Sequence, residues 1–308
     1  MKKFLLFLAF ILTAATCLDA QETTCDFTIP YVQRDTGSLV MDVYIPAAPA
    51  EKNPCLIYVY GGGFVDNNLR SSFSLELCRR FADAGYVTLA IDYRLGLKGV
   101  RFKNVLQMAG PVEDAVKMAS EDLFSAVEYL LNHSEELKVD TSRVLLSGSS
   151  AGAITVLQTD YELCNRSSLA SAMPEDFRFA GVISYSGAVF SSEGKCKYKV
   201  HAPAPTFLLH GTEDKLVTYG KIQVFNLGFY GSSTLVKRFD KYGFPYLFAR
   251  FEGHSHEVAI YNNELFDETM WFIENYVNQG KRWQIDLTAA DLDGHEKTID
   301  AKPDQLYK

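Results

Sequence analysis

The chain has 308 residues, 47% of them hydrophobic, and its 38 acidic and 30 basic side chains leave a net charge of -8. That length and apolar content suffice for one large core. The acidic balance, with no Lys/Arg block beyond the first three residues, argues against nucleic acid and anionic membrane surfaces as partners.

Met1-Lys2-Lys3 is a short positive start, and Phe4 to Ala15 is a mainly apolar run too short to span a bilayer. Small and polar residues follow, which is the pattern of a secretory signal peptide. Cleavage after Ala20 would leave Gln21 first and the product secreted or periplasmic. The competing reading takes Ala14-Ala15-Thr16-Cys17 as a degenerate lipobox with Cys17 lipidated, the one route to a membrane. Without Cys17, Cys25, Cys55, Cys78, Cys164 and Cys196 remain, an odd number. Cys55 and Cys78 sit in apolar patterns as small hydrophobes. Cys164 and Cys196 fall at element ends, where an oxidising compartment would permit a bridge.

Asp26–Arg34 and Leu39–Ile45 read as a hairpin around Thr36-Gly37-Ser38. Cys55–Tyr60 is a near-continuous apolar run, as in a strand buried on both faces. Phe73–Ala84 has helical spacing and stops at Gly85. Tyr86–Ile91 is the next buried strand, and Val112–Asn132 a helix with Leu123, Val127, Leu130 and Leu131 on one face. Arg143–Ser147 is a strand and Ala151–Leu163 a helix. Strands follow at Phe179–Tyr185 and Pro205–His210. Phe225–Tyr242 reads as helical at least in part. Tyr246–Phe251 reads as a final strand and Asn263–Val277 as a final helix. Alternating strands and helices predict an α/β fold with a doubly wound, mostly parallel sheet, and functional groups at the carboxyl ends of its strands.

Where the predicted strand Arg143–Ser147 ends, Gly148-Ser149-Ser150-Ala151-Gly152 forms G-x-S-x-G. Such a sequence arises by chance in roughly one chain in ten of this length, so its neighbours decide its meaning. Mechanically it fits a strand that turns sharply into a helix and pushes the central serine outward. A serine hydroxyl needs a base to take its proton as it attacks. Histidine suits that role near neutral pH, and a carboxylate fixes its tautomer. Asp214, in the turn His210-Gly211-Thr212-Glu213-Asp214, is the candidate acid, with Glu213 its neighbour and rival. His254 and His256 both lie after the last predicted strand and both remain candidate bases. Ser149 is the rival nucleophile by adjacency.

The chain resembles the α/β-hydrolase fold family, in particular its carboxylesterase branch, over roughly residues 38–280. Five ordered segments carry the likeness: Tyr60-Gly61-Gly62-Gly63-Phe64, similar to the family's His-Gly-Gly-Gly loop; Asp92-Tyr93-Arg94-Leu95; Asp140–Val144 leading into Gly148–Gly152; His210–Asp214; and Glu252-Gly253-His254-Ser255-His256-Glu257. The family order is nucleophile, acid, histidine. The resemblance implies Ser150 as nucleophile, Asp214 as acid and His256 as base, since the family's Gly-x-Gly-His places the base at 256, with His254 as the alternative. It implies an oxyanion hole from the N–H groups of Gly62, Gly63 and Ala151. Tyr60 stands where the family usually has His, which touches loop support more than catalysis. His210 reads as a support for the acid turn. Ser184-Tyr185-Ser186-Gly187 either lines the cleft or is a plain strand-to-turn transition.

The expected organisation is a signal peptide at 1–20, one catalytic domain at 21–280 without a large lid, and a polar C-terminal extension at 281–308 that Trp283 anchors. Gly96–Pro111 is the largest candidate wall of the site. No cofactor is expected. Asp291-Leu292-Asp293-Gly294 hints at a cation loop but lacks the other ligands of an EF-hand, so no metal is expected. The resemblance implies a serine carboxylic-ester hydrolase acting through an acyl-enzyme on short-acyl or carbohydrate-linked acetyl or feruloyl esters. Two alternatives stand beside it: a serine peptidase of prolyl-oligopeptidase type, and a non-catalytic secreted binding protein on the same fold. The sequence leaves the oligomeric state open.

Overall fold

The structure, a computed structural model, describes residues 24–102, 107, 109–289 and 299. The signal-peptide and Cys17 readings, the 291–294 loop and the middle of the 96–111 wall lie outside the described residues.

Hydrophobic patterning accounts for the centre of the molecule. Strands β3 (Asn53–Val59), β4 (Val87–Ile91), β5 (Val139–Ser149), β6 (Gly181–Tyr185), β8 (Thr206–Gly211) and β11 (Tyr246–Phe251) run parallel to one another in the order β4-β3-β5-β6-β8-β11. Their apolar runs are buried along almost their whole length, as sheets covered on both faces require. The predicted hairpin forms β1 (Phe27–Arg34) and β2 (Gly37–Tyr44), paired from Arg34 opposite Gly37, and β2 joins β4 antiparallel. Helix α1 (Ser72–Asp83) starts at Ser71, whose hydroxyl accepts the Ser74 N–H at 3.2 Å, and stops where Gly85 turns to φ +94°. Helix α2 (Ala109–Asn132) packs on α3 (Ala151–Asn165), which is buried nearly all round. Thr155 and Thr159 inside α3 satisfy their hydroxyls on the carbonyls four residues back, at 2.9 and 2.8 Å.

One reading is narrowed, one is corrected and one open pairing is decided. Residues 227–231 are not helical. They form β10 (Leu227–Gly231), which pairs with β7 (Ala188–Ser191) and β9 (Lys221–Val224) in a separate three-stranded antiparallel sheet. Only Ser232–Tyr242 is the helix, α4. A two-residue turn at Phe225-Asn226, with Phe225 at φ +52°, sets the β9–β10 register, and Phe229 packs on Phe190. Tyr246–Phe251 is not the last strand. After α5 (Phe266–Phe272) and a wider π-type turn at Ile273–Asn278, β12 (Gln284–Ala289) adds a ninth strand parallel to β11. The extension thus begins inside the sheet. Trp283 sits at its root, stacked on Trp271, with its carbonyl accepting the Tyr246 N–H at 3.0 Å. Finally, Cys164 and Cys196 do not bridge. Both are buried free thiols, and Cys164 Sγ donates to the Ala202 carbonyl at 3.3 Å.

Candidate active site

The glycine loop, the Asp92 segment, the serine turn, the acid turn and the histidine loop meet at one end of the sheet, beyond the carboxyl ends of β3, β4, β5, β8 and β11. The turn after β5 is built around two glycines. A Cβ on Gly148 would lie 2.4 Å from the Gly152 carbonyl oxygen, and one on Gly152 would lie 2.0 Å from that of Val59. Neither position admits a side chain, so strand, turn and helix can approach only as this sequence permits. Between them Ser150 takes φ 53° and ψ -116°, outside the usual basins of a non-glycine residue. Its N–H donates to the Tyr185 carbonyl at 2.9 Å, so the 184–187 segment supports the turn from below. Ser149 is buried and donates its hydroxyl to the Ala259 carbonyl. Ser150 Oγ is instead 2.8 Å from His256 Nε2.

His256 opens a 3₁₀ turn (His256–Ile260) after β11. Its Nδ1 is 2.7 Å from Asp214 Oδ2. Since Asp214 is the acceptor there, Nδ1 carries the proton and Nε2 is left to accept the Ser150 hydroxyl. Asp214 is buried after β8. Its Oδ1 accepts the N–H groups of Leu216 and Val217, both at 2.9 Å. His210, wholly buried, lies 3.3 Å from Asp214 Oδ2 through Nε2, which also donates to the Val217 carbonyl at 3.1 Å. The other ring nitrogen accepts the Ser232 hydroxyl at 2.9 Å. Burial would raise the Asp214 carboxyl, but hydrogen bonds from His210 and His256 outweigh it and hold the group well below the usual carboxylate range. The rival acid, Glu213, is exposed, and its N–H donates to the His254 carbonyl at 2.8 Å.

The second histidine has its own carboxylate. His254 Nδ1 is 3.0 Å from Glu257 Oε1, which also accepts the Ser255 N–H at 2.9 Å. Glu257 is completely buried. No motif flagged it, because its partners are set by the loop's fold and not by spacing.

The glycine loop after β3 lies against the serine. A Cβ on Gly61 would stand 3.2 Å from Ser150 Cβ, and Gly62 has φ +142° with no room for a side chain beside the Asp66 carbonyl. Ala151 is the first residue of α3, so its N–H belongs to the helix start that has no intrahelical acceptor. Tyr60 holds the loop where the family uses histidine. Its hydroxyl donates to Asp92 Oδ1 at 2.7 Å, its ring stacks on Tyr93, and its carbonyl accepts the Tyr93 hydroxyl at 3.0 Å. Asn68 Nδ2 donates to the Gly61 carbonyl at 3.0 Å. The Asp92-Tyr93-Arg94 segment therefore buttresses the loop from β4. Arg94, with Arg34, satisfies the buried carboxylate of Asp122 on α2. A hydroxyl, an imidazole and a carboxylate in series, beside helix-start and glycine-loop N–H groups, can carry out nucleophilic acyl transfer.

A family model described as BD-FAE matches residues 41–189, which include the glycine loop and Ser150 but end before Asp214. An ethyl acetate hydrolase of Pseudomonas putida is 31% identical over 136 residues, covering 43% of this chain and 37% of that protein. Gut esterase 1 of Caenorhabditis elegans is 26% identical over 124 residues, 40% of this chain and 21% of that one. The chain thus spans well under half the length of these curated relatives. Native esterase 2 of the planctomycete Thermogutta terrifontis superposes with a TM-score of 0.60 at 20% identity, covering 82% of this chain and 94% of that one. The same esterase phosphonylated by cyclosarin gives 0.58 at 21%, with the same coverage. At these identities the likeness is one of fold.

Proposed function

We propose that this chain, whose fold is shared with an esterase of known structure, is a serine carboxylic-ester hydrolase with Ser150 as nucleophile, His256 as base and Asp214 as the orienting acid. The observation that carries this is the unbroken series from Ser150 Oγ to His256 Nε2 at 2.8 Å and from His256 Nδ1 to Asp214 Oδ2 at 2.7 Å.

Ser150 Oγ attacks the ester carbonyl carbon as its proton passes to His256 Nε2. The carbonyl π pair moves onto oxygen, which the N–H groups of Gly62, Gly63 and Ala151 receive. The tetrahedral species collapses, the bond to the alcohol oxygen breaks, and His256 returns the proton to that alcohol. An acyl-enzyme remains on Ser150. Water then repeats the sequence through His256 and releases the acid. Asp214, held ionised, keeps the Nδ1–H tautomer and stabilises the imidazolium in both halves.

Short-acyl esters, including acetyl or feruloyl groups carried on carbohydrate, are the proposed substrates. The BD-FAE match and the similarity to an ethyl acetate hydrolase support that class. The signal-peptide pattern of residues 1–20 supports export, and mass spectrometry of the mature N-terminus distinguishes Gln21 from a lipidated Cys17. The enzyme should release p-nitrophenol from p-nitrophenyl acetate, and a fluorophosphonate probe should label Ser150. Hydrolysis that survives Ser150→Ala would overturn the proposal.

A further inference from the structure

A cavity of about 430 Å³ lies at the same edge of the sheet as Ser150, on the far side of the glycine loop. Val40, Asn67, Asn68, Arg70 and Asp92 are among its lining residues. Asp92 follows β4 and Ser150 follows β5, with β3 between them. Two interstrand spacings put the cavity roughly 10 Å from the serine. That is the length of one to two sugar rings.

Its chemistry is specific. All three hydrogen bonds to the Asp92 side chain fall on Oδ1, from Tyr60 at 2.7 Å and from Asn67 and the Tyr93 N–H at 2.9 Å. Oδ2 has no protein partner among the described residues. Arg70 uses Nε and Nη2 on the buried carboxylate of Asp42, both at 2.7 Å, and Nη2 again on Thr28, which leaves Nη1 likewise without a partner. The cavity therefore offers a carboxylate acceptor, a guanidinium donor and two side-chain amides. The charge of Arg70 is already answered by Asp42, and Asp92 adds a negative one, so a phosphate or carboxylate ligand would be repelled. An apolar ligand would strand the polar groups. Neighbouring hydroxyls, each both donor and acceptor, match the set.

We propose that this cavity is a subsite for a neutral saccharide, and that it holds the alcohol half of an ester whose acyl carbon lies at Ser150. The proposal rests on the ester-hydrolase reading for its catalytic consequence, but the saccharide contact stands by itself. Asn68 links the two directly, since it lines the cavity and bonds the Gly61 carbonyl.

Two variants test it. Val40→Phe fills the cavity without removing a polar partner, and Arg70→Lys keeps a cation for Asp42 while losing the planar fork. The first readout is the ratio of kcat/KM for an acetylated xylo-oligosaccharide to that for p-nitrophenyl acetate. Val40→Phe should lower this ratio about tenfold or more, mainly through KM, and Arg70→Lys by a smaller factor in the same direction. The second readout is calorimetric binding of the unesterified xylo-oligosaccharide to the Ser150→Ala protein. That binding should weaken about tenfold when Val40→Phe is added. An unchanged ratio with p-nitrophenyl acetate still cleaved would overturn the subsite and leave the hydrolase reading intact. Failure to cleave any ester would overturn the hydrolase reading, and the binding measurement would still decide the subsite. Absence of oligosaccharide binding to Ser150→Ala would overturn it too.

Discussion

Two histidines stand in one loop of this protein, two residues apart, each paired with a carboxylate. His256 holds Asp214 at 2.7 Å and His254 holds Glu257 at 3.0 Å, each through Nδ1 and each with a buried carboxylate. By chemistry they are near duplicates. Only the first has its other ring nitrogen on a serine hydroxyl, and only its carboxylate comes from a different strand end. The Asp214 pair ties three strand ends together. The Glu257 pair, with its bond to the Ser255 N–H, ties the loop to itself. A His–carboxylate pair is therefore a local brace unless tertiary structure brings its free nitrogen to a nucleophile.

The largest effect that could break this comparison is at the base. His256→Ala should lower kcat for p-nitrophenyl acetate by about 10⁶, as losing a nucleophile or base does in serine hydrolases. His254→Ala should cost less than about tenfold. Equal losses, or the reverse order, would make the two pairs interchangeable and remove the assignment. Next is the acid. Asp214→Asn keeps the shape but favours the wrong tautomer of His256, and kcat should fall by about 10⁴ with little change in KM.

Glu257→Gln should be far milder, within about tenfold in kcat, because the brace keeps its acceptor. Its cost should appear as stability, with Tm lower by about 2–4 °C for each kcal/mol lost in a domain of this size. A loss of activity as large as for Asp214→Asn would mean that the second pair is part of the reaction.

The smallest effect concerns a buried carboxylate with no histidine at all. Asp160, inside α3, is pushed up to about 7 by burial, against weak opposition from the Ala204 N–H, Cys164 and Arg178. Asp214 is just as enclosed, yet its histidines send it the other way. The usual aspartate value is near 4. Between about pH 4 and 7 the folded chain keeps the Asp160 proton that the unfolded chain has released, so stability falls as pH rises through that window and levels off above it. Asp160→Asn should raise Tm relative to the parent at pH 8 and lose that advantage at pH 4, with turnover unchanged. The Asp214 contribution has the opposite sign. It is complete above about pH 4 and fades as pH falls toward the depressed value.

Much of this was readable in the chain. The buried strands of the centre announced themselves as apolar runs, and the hairpin by its alternation around Gly37. What escaped were β7, β9, β10 and β12. They are short, β9 and β12 are largely exposed, and the pairings of β7 with β10 and of β12 with β11 join residues far apart in sequence, so no long hydrophobic run marks them. The Phe225–Tyr242 span reads as helical only in part, and the sequence does not mark where the two-residue turn and β10 give way to the helix at Ser232. Around the site, the Tyr60–Asp92 bond was invisible because it depends on where two loops pack, whereas the Glu257 brace forms within one loop whose conformation no periodicity marks.

The sequence by itself determined the frame: a serine between two glycines, a glycine loop, an acid turn and a histidine loop, in that order and each at a strand end. It could do so because these features are local. Gly148 tolerates no Cβ because the turn brings Gly152 back against it, and that constraint is written in the local sequence. Only the tertiary structure decided which of two histidines faces Ser150 and which of two acids faces the histidine. Neighbouring residues of one loop share composition and spacing. They differ only in direction, and direction is set when β8 and the turn after β11 pack together, leaving Asp214 and His256 inside and Glu213 exposed.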